Sequence, residues 1–278
     1  MTSALRERAP AKVNLCLFLG PTRADGLHEI VTVVEPLSLA DELELALDPS
    51  AVADAIHCPG VPEPNLAGAA LAAFREAAAW EGSPVRVTID KRIPVAAGMG
   101  GGSSDAAATL RLAARAAGRG DDLLAEIAPR LGSDVPALLK CEPAMVVGAG
   151  ERLHPLAPLR PHGLVVLPSR NKLSAGEVYA EADRLGLARS EEGLAQRRAD
   201  VERALADGEL PPLVNDLEPA AHSLCPSIEH ALAALCEAGA DQAIVTGSGP
   251  TAFGIFTTRG AAREAAACIN GAIEAVPA

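Results

Sequence analysis

Runs with apolar residues at every second position mark the strands of this chain, and three-to-four-residue apolar spacing marks its helices. VNLCLFLG (13–20), IVTVVEPLSL (30–39) and ELELAL (42–47) predict strands near the start. Pro64-Asn65 opens a helical run, NLAGAALAAFREAAAW, and VRVTID (85–90) then predicts a strand with Val85, Val87 and Ile89 on one face. A glycine-dense stretch, IPVAAGMGGGSSD (93–105), leads into AAATLRLAARAAGRG, a helix by composition that ends at Gly118. A further helix, DDLLAEIAPRLG (121–132), leads to the turn residues Gly132-Ser133-Asp134. Between the strands AMVVGA (144–149) and GLVVLPS (163–169), the string HPLAPLRPHG carries three prolines and predicts a domain boundary, dividing 1–157 from 158–278. The second part predicts helices including PSIEHALAALCEAG, the strand QAIVTG, a Ser-Gly-Pro loop, the strand TAFGIF and a last helix from about Gly260. This order predicts an α+β architecture.

Composition narrows the function. A chain of 278 residues buries enough surface to fold without disulfides or structural metal. Aromatic residues make up only 2%, with Trp80 and Tyr179 each alone of their kind, so the core is aliphatic and an aromatic at a binding site stands out. The 24 basic against 36 acidic side chains give a net charge of −12, the wrong sign for a nucleic-acid binder. No apolar run approaches the roughly 18 residues of a membrane span. The six cysteines show no metal-ligand spacing, which suits buried thiols in a reducing, cytoplasmic compartment, and no dedicated metal cluster is visible. Oligomeric state is not legible.

The strongest chemical signal is Pro94-Val95-Ala96-Ala97-Gly98-Met99-Gly100-Gly101-Gly102-Ser103-Ser104, between a strand and a helix. Glycines let successive backbone N–H groups converge on one anion, and the helix start adds unpaired N–H groups and a positive dipole end. Ser103 or Ser104 is the expected N-cap, with a hydroxyl available to phosphate or metal. A plain turn before a capped helix is the alternative. Lysine is missing for a Walker A loop, and Ser103 stands where the dinucleotide fingerprint needs glycine.

The pattern P-x-x-x-G-[LM]-G-x-x-S-S resembles the nucleotide-binding signature of the GHMP kinases. Five further segments carry the resemblance along residues 9–250: Ala9-Pro10-Ala11-Lys12-Val13-Asn14-Leu15, Arg23-Ala24-Asp25-Gly26-Leu27-His28-Glu29, Leu131-Gly132-Ser133-Asp134-Val135-Pro136, Asn215-Asp216-Leu217-Glu218 and Thr246-Gly247-Ser248-Gly249-Pro250. They are similar to the branch of that family acting on a cytidyl-diphosphate methylerythritol. The resemblance implies a two-domain α+β kinase with its active site in the cleft between domains, ATP as donor, magnesium bridging the phosphates, and a small-molecule acceptor phosphorylated on its 2-hydroxyl in non-mevalonate isoprenoid synthesis.

The same resemblance implies roles. Asp134 matches the base that takes the hydroxyl proton, and Lys12 the cation that supports it and the transferred phosphoryl. His28 matches the histidine that reads the base, Tyr179 the aromatic that stacks on it, Asn14 and Thr246 polar positions near the substrate, and Asn65 one near the nucleotide. Taken singly, Asp134 reads as a turn or helix cap, Lys12 as a surface charge, Tyr179 as a half-buried helix residue and His28 as a turn residue. Asn65 reads as a helix N-cap, and 246–249 as a hairpin turn. The chain departs from the family at Leu27, where many relatives have tyrosine, at Cys141-Glu142, where a glycine pair is common, and at IEAVPA, where many add an edge strand. A non-catalytic nucleotide binder of this fold is expected to lack Lys12 or Asp134, and both are present.

Overall fold

The computed structural model describes residues 4–95 and 97–278. It forms two compact units that interleave in sequence: 4–11, 39–95 and 100–141 make one, and 12–38, 97–99 and 142–278 the other. No single cut near residue 157 separates them, because the first two strands, β1 (Leu5–Thr22) and β2 (His28–Leu47), each give one part to each unit.

In the first unit, Glu42–Leu47 of β2 pair antiparallel with β4 (Val85–Asp90), and the short β3 (Ala55–His57) adds parallel to β4. Val85, Val87 and Ile89 are buried and their neighbours exposed, as the alternation predicts. They face α1 (Leu66–Ala78), α2 (Gly101–Ala117) and α3 (Asp122–Leu131) across a core of Leu43, Leu45, Phe74 and Leu110. Ala106, Ala107, Ala113 and Ala114 let α2 approach closely, and Gly118 ends it in the left-handed conformation. A single turn, α4 (Val135–Leu138), follows Asp134.

In the second unit, Ile30–Val34 of β2 pair with β5 (Ala144–Gly148), which pairs with β6 (Arg152–Pro155). The other helices are α5 (Ala175–Leu185), α6 (Glu191–Ala206), α7 (Glu218–Leu224), α8 (Ile228–Glu237) and α9 (Arg259–Cys268). A four-stranded antiparallel sheet runs β10-β7-β9-β8, from β7 (Gly163–Leu167), β8 (Gln242–Val245), β9 (Ala252–Phe256) and β10 (Ile273–Ala275). The segment Ile273–Ala275 therefore is an edge strand, formed by the very residues where the sequence suggested one was missing. α8 and α9 cover this sheet through Leu235, Ala262 and Ala265.

All six cysteines are free thiols: Cys16 and Cys225 are buried, whereas Cys236 and Cys268 are exposed, against the expectation of uniform burial. Desolvation pushes the Cys16 thiol up to about 12, so it stays an inert packing group. No helix among the described residues is long and apolar enough to cross a membrane.

Candidate active site

β1 turns Lys12 and Asn14 to the same face, two residues apart, and both are buried. Lys12 is thus no solvated surface charge. Its Nζ donates to Asn14 Oδ1 at 2.7 Å, Asn14 Nδ2 donates to Thr32 Oγ1 at 2.8 Å, and the Asn14 backbone N–H donates to Thr246 Oγ1 at 2.9 Å. Every polar atom of the Asn14 side chain is engaged, which fixes the ammonium in turn. Gly247, at φ +57°, closes this face: a Cβ there would stand 3.0 Å from Asn14 Oδ1 and 3.6 Å from Lys12 Nζ. The 246–249 loop is also the predicted hairpin turn between β8 and β9.

Asn215, buried, holds that loop by donating from Nδ2 to the carbonyls of Val245 (2.8 Å) and Gly247 (2.7 Å). Glu218 accepts from the Val245 N–H at 2.8 Å. Both lie in the Asn-Asp-Leu-Glu segment, whose resemblance marked the place without a role. Thr32 carries no sequence signal, since it is one residue in a strand alternation and acts only through partners far along the chain.

The glycine loop divides between the units. Ala97 and Met99 are buried and contribute backbone, the Met99 carbonyl accepting from the Lys12 N–H at 3.0 Å. Gly98, at φ +73°, passes so close to the 246–249 loop that a Cβ would meet the Gly249 carbonyl oxygen at 2.5 Å. Pro94 is half-buried, Val95 exposed, and Ala96 lies outside the described residues. On the other unit, Gly100 at φ +69° is the N-cap of α2 and Ser104 N donates to its carbonyl. Ser103 and Ser104 are therefore inside the first turn, and the expected serine cap is replaced by a left-handed glycine. Ser104 is fully buried with no hydrogen-bond partner for its Oγ, which leaves Ser103 as the hydroxyl near the surface. The N–H groups of Gly101, Gly102 and Ser103 precede the first intrahelical bond and have no helical acceptor. A Cβ on Gly101 would press on Ile93 at 3.1 Å. N–H groups without a helical acceptor, beside closely approached glycines, fit a polyphosphate.

Asn65 serves as the N-cap of α1, its Oδ1 accepting from Gly68 N at 3.0 Å, while its Nδ2 is buried without a partner. It lines a cavity of about 530 Å³ with Pro64, Gly68 and Leu71. Cap and donor coexist in one side chain. Asp134 holds the N-cap position of α4, is half-buried and makes no side-chain bond to the helix cap.

Beneath the start of α2, Lys91 bridges Asp41 and Asp105, the latter at 2.8 Å, and Asp41 also accepts from the N–H groups of Arg92 (2.6 Å) and Ile93 (2.8 Å). Two buried carboxylates share one ammonium, and no sequence spacing announced it. Burial raises Asp105 to about 7, against the lowering effect of Lys91. Its unfolded-state pKa is near 4, so the folded state binds the extra proton and its contribution to stability is lost as pH rises from about 4 through 7. Asp105→Asn removes that titration. Thermal melts at pH 5.5 and 8 are expected to show a smaller loss on going to pH 8 in the variant than in the wild type; parallel losses contradict this account.

His28 and Tyr179, far apart in the sequence, meet. Their rings stack at 5.6 Å between centroids with 29° between planes. The Gly20 carbonyl accepts from His28 Nδ1 at 3.0 Å, and His28 Nε2 lies 3.1 Å from Asp183 Oδ1. Leu27, beside them, is 55% exposed.

The interleaved α+β units, the glycine cradle and the buried lysine define a small-molecule kinase fold. Family models described as "GHMP kinases N terminal domain" and "GHMP kinases C terminal" match residues 65–141 and 191–274. The curated 4-diphosphocytidyl-2-C-methyl-D-erythritol kinase of Anaeromyxobacter dehalogenans is 44% identical over 95% of this chain and 84% of its own length. A crystal structure of 4-(cytidine 5'-diphospho)-2C-methyl-D-erythritol kinase superposes with a TM-score of 0.83 at 34% identity, covering 99% of this chain and all of that one. Homoserine kinase from Cytophaga hutchinsonii, at 16% identity, 100% and 95% coverage and a TM-score of 0.70, shares the fold. The chain belongs to the GHMP kinase family, and within it to the 4-diphosphocytidyl-2-C-methyl-D-erythritol kinases.

Proposed function

We propose that this enzyme transfers the terminal phosphoryl group of ATP to the 2-hydroxyl of 4-diphosphocytidyl-2-C-methyl-D-erythritol, a step of non-mevalonate isoprenoid synthesis. The observation that supports it most is the 44% identity with a kinase of that name over 95% of the chain. The stacked His28 and Tyr179 support the same acceptor, since a nucleobase calls for a flat partner and mevalonate or homoserine does not.

In this reading the N–H groups of Gly101, Gly102 and Ser103 bind the polyphosphate, and the residues from Pro94 to Ser104 form its cradle. Asn65 Nδ2 donates to the nucleotide. Asp134 removes the proton from the acceptor hydroxyl, and Lys12, oriented by Asn14 and Thr246, neutralises charge on the moving phosphoryl. Magnesium, when bound with ATP, would neutralise charge on the phosphates. The described residues contain no group of three His, Cys, Asp or Glu that could hold a metal ion. The two family segments, divided between residues 141 and 191, bracket the 157/158 boundary read from the sequence, and we keep 1–157 and 158–278 as its sequence domains.

The test is ADP release from ATP and magnesium with the cytidyl alcohol, homoserine and mevalonate as separate acceptors. Turnover with the first alone is expected. Turnover with either other acceptor and not the first overturns the nucleobase assignment.

A further inference from the structure

α5 presents two residues to one imidazole. Tyr179 and Asp183 are four apart, the spacing that places side chains above one another on a helix face, and both reach His28: Tyr179 by stacking and Asp183 through Oδ1 at 3.1 Å from Nε2. The helix is anchored independently of them. Ser174 and Glu177 form a capping box at its start, Val178 and Ala182 are its buried residues, and Gly186 closes its end in the left-handed conformation. Asp183 itself is 54% exposed at its side chain, in contrast to 5% for His28. An exposed carboxylate that touches a buried ring contributes little to holding the helix and much to where the ring points.

The ring's other nitrogen is taken from the opposite side. His28 opens β2 after the tight Asp25-Gly26 turn, and its Nδ1 reaches back to the Gly20 carbonyl of β1 at 3.0 Å. β1 and α5 thus fix both ring nitrogens, and with them the rotation of the imidazole about its attachment to the chain. The stacking surface shared with Tyr179 exists only for that rotation, since turning the ring breaks either the stack or one of the two polar contacts. Leu27, the neighbour of His28, is exposed and aliphatic and offers no aromatic face of its own. The orientation of His28 is correspondingly more important in this chain.

We propose that Asp183 is a positioning residue of the nucleobase site: it holds His28 in the orientation that binds the cytidyl group, and so sets affinity for the acceptor without taking part in phosphoryl transfer. The inference rests on the reading of His28 and Tyr179 as the base-binding pair.

Asp183→Ala, Asp183→Asn and wild type are compared by steady-state kinetics with the cytidyl alcohol and ATP, by thermal melting, and by the ring ¹⁵N resonances of His28 in the substrate-free protein. Asp183→Ala is expected to raise KM for the cytidyl alcohol about tenfold, with kcat, KM for ATP and Tm unchanged, and to shift the His28 ring resonances while those of His162 stay in place. Asp183→Asn, whose amide can still hydrogen-bond Nε2, is expected to restore most of the affinity. A wild-type enzyme inert toward the cytidyl alcohol overturns the base reading and this inference together. Normal turnover with an unchanged acceptor KM in Asp183→Ala overturns the inference alone. A fall in Tm with both KM values rising assigns Asp183 to helix docking and equally overturns it.

Discussion

Asp134→Asn is expected to lower kcat by about two to four orders of magnitude while the protein folds and melts as the wild type does, the range typical of a removed general base. The two halves of this expectation have separate grounds. Folding survives because the turn is held by the backbone, through Val135 N to the Gly132 carbonyl (3.2 Å) and Leu138 N to the Asp134 carbonyl (3.3 Å), and by the buried Val135 and Leu138. Asparagine keeps the size and the hydrogen-bonding shape. Turnover falls because an amide cannot take up the hydroxyl proton at neutral pH. The KM for the cytidyl alcohol is expected to change little, since the interaction lost is one made mainly in the transition state. Retention of more than a tenth of wild-type kcat would falsify the assignment of Asp134 as base and leave the acceptor hydroxyl to lose its proton to solvent or phosphate.

The second large effect is on stability. His162 and Glu35 form a pair with 1% side-chain exposure on each side, Nε2 to Oε2 at 3.0 Å, and the Arg160 carbonyl accepts from His162 Nδ1 at 2.9 Å. Glu35 Oε1 is buried without a partner. His162→Leu fills similar space but strands the carboxylate, and breaking a buried pair from one side costs about 3–5 kcal/mol. Denaturant unfolding at pH 6 is expected to show that loss, and a change under 1 kcal/mol rejects it. The sign with pH follows from the pair. Burial opposes the charged imidazole, but the hydrogen bond and charge of Glu35 outweigh it and hold His162 above the ordinary histidine range. Its contribution is therefore complete below about 6.5 and is lost as pH rises through the folded-state value. Wild type loses this increment on going from pH 6 to 9, and the leucine variant does not. Pro158 and Pro161 made this stretch read as a linker, yet it places one of the most buried ionisable side chains of the molecule.

That contrast recurs along the chain. β4, α1, α2, the β8–β9 hairpin and the N-cap role of Asn65 were legible because each rests on local physics: alternation, an alanine-rich run stopped by glycine, a short polar side chain before a helix. The break predicted between IVTVVEPLSL and ELELAL does not exist, and β2 runs unbroken from His28 to Leu47. Lys91, Arg92 and Ile93 satisfy the Asp41 carboxylate from some fifty positions away, so it remains in the strand, fully buried. The serine cap expected for α2 failed for a related reason. Gly100 can adopt the left-handed conformation that starts the helix three residues earlier, which turns Ser104 into the interior.

By itself the sequence determined the class of the protein and the α+β order of its elements, and its family resemblance named Lys12, Asp134, His28, Tyr179 and the glycine loop as site candidates, because motifs and residue type are legible along the chain. Only the tertiary structure decided what surrounds them: Thr32, Thr246 and Asn215 around Asn14 and its loop, Asp183 on His28, and two aspartates on Lys91. The tertiary structure also decided that the compact units interleave. Each of these rests on contacts between residues far apart in the chain. Their energies depend on burial and orientation, and neither is present until the chain has folded.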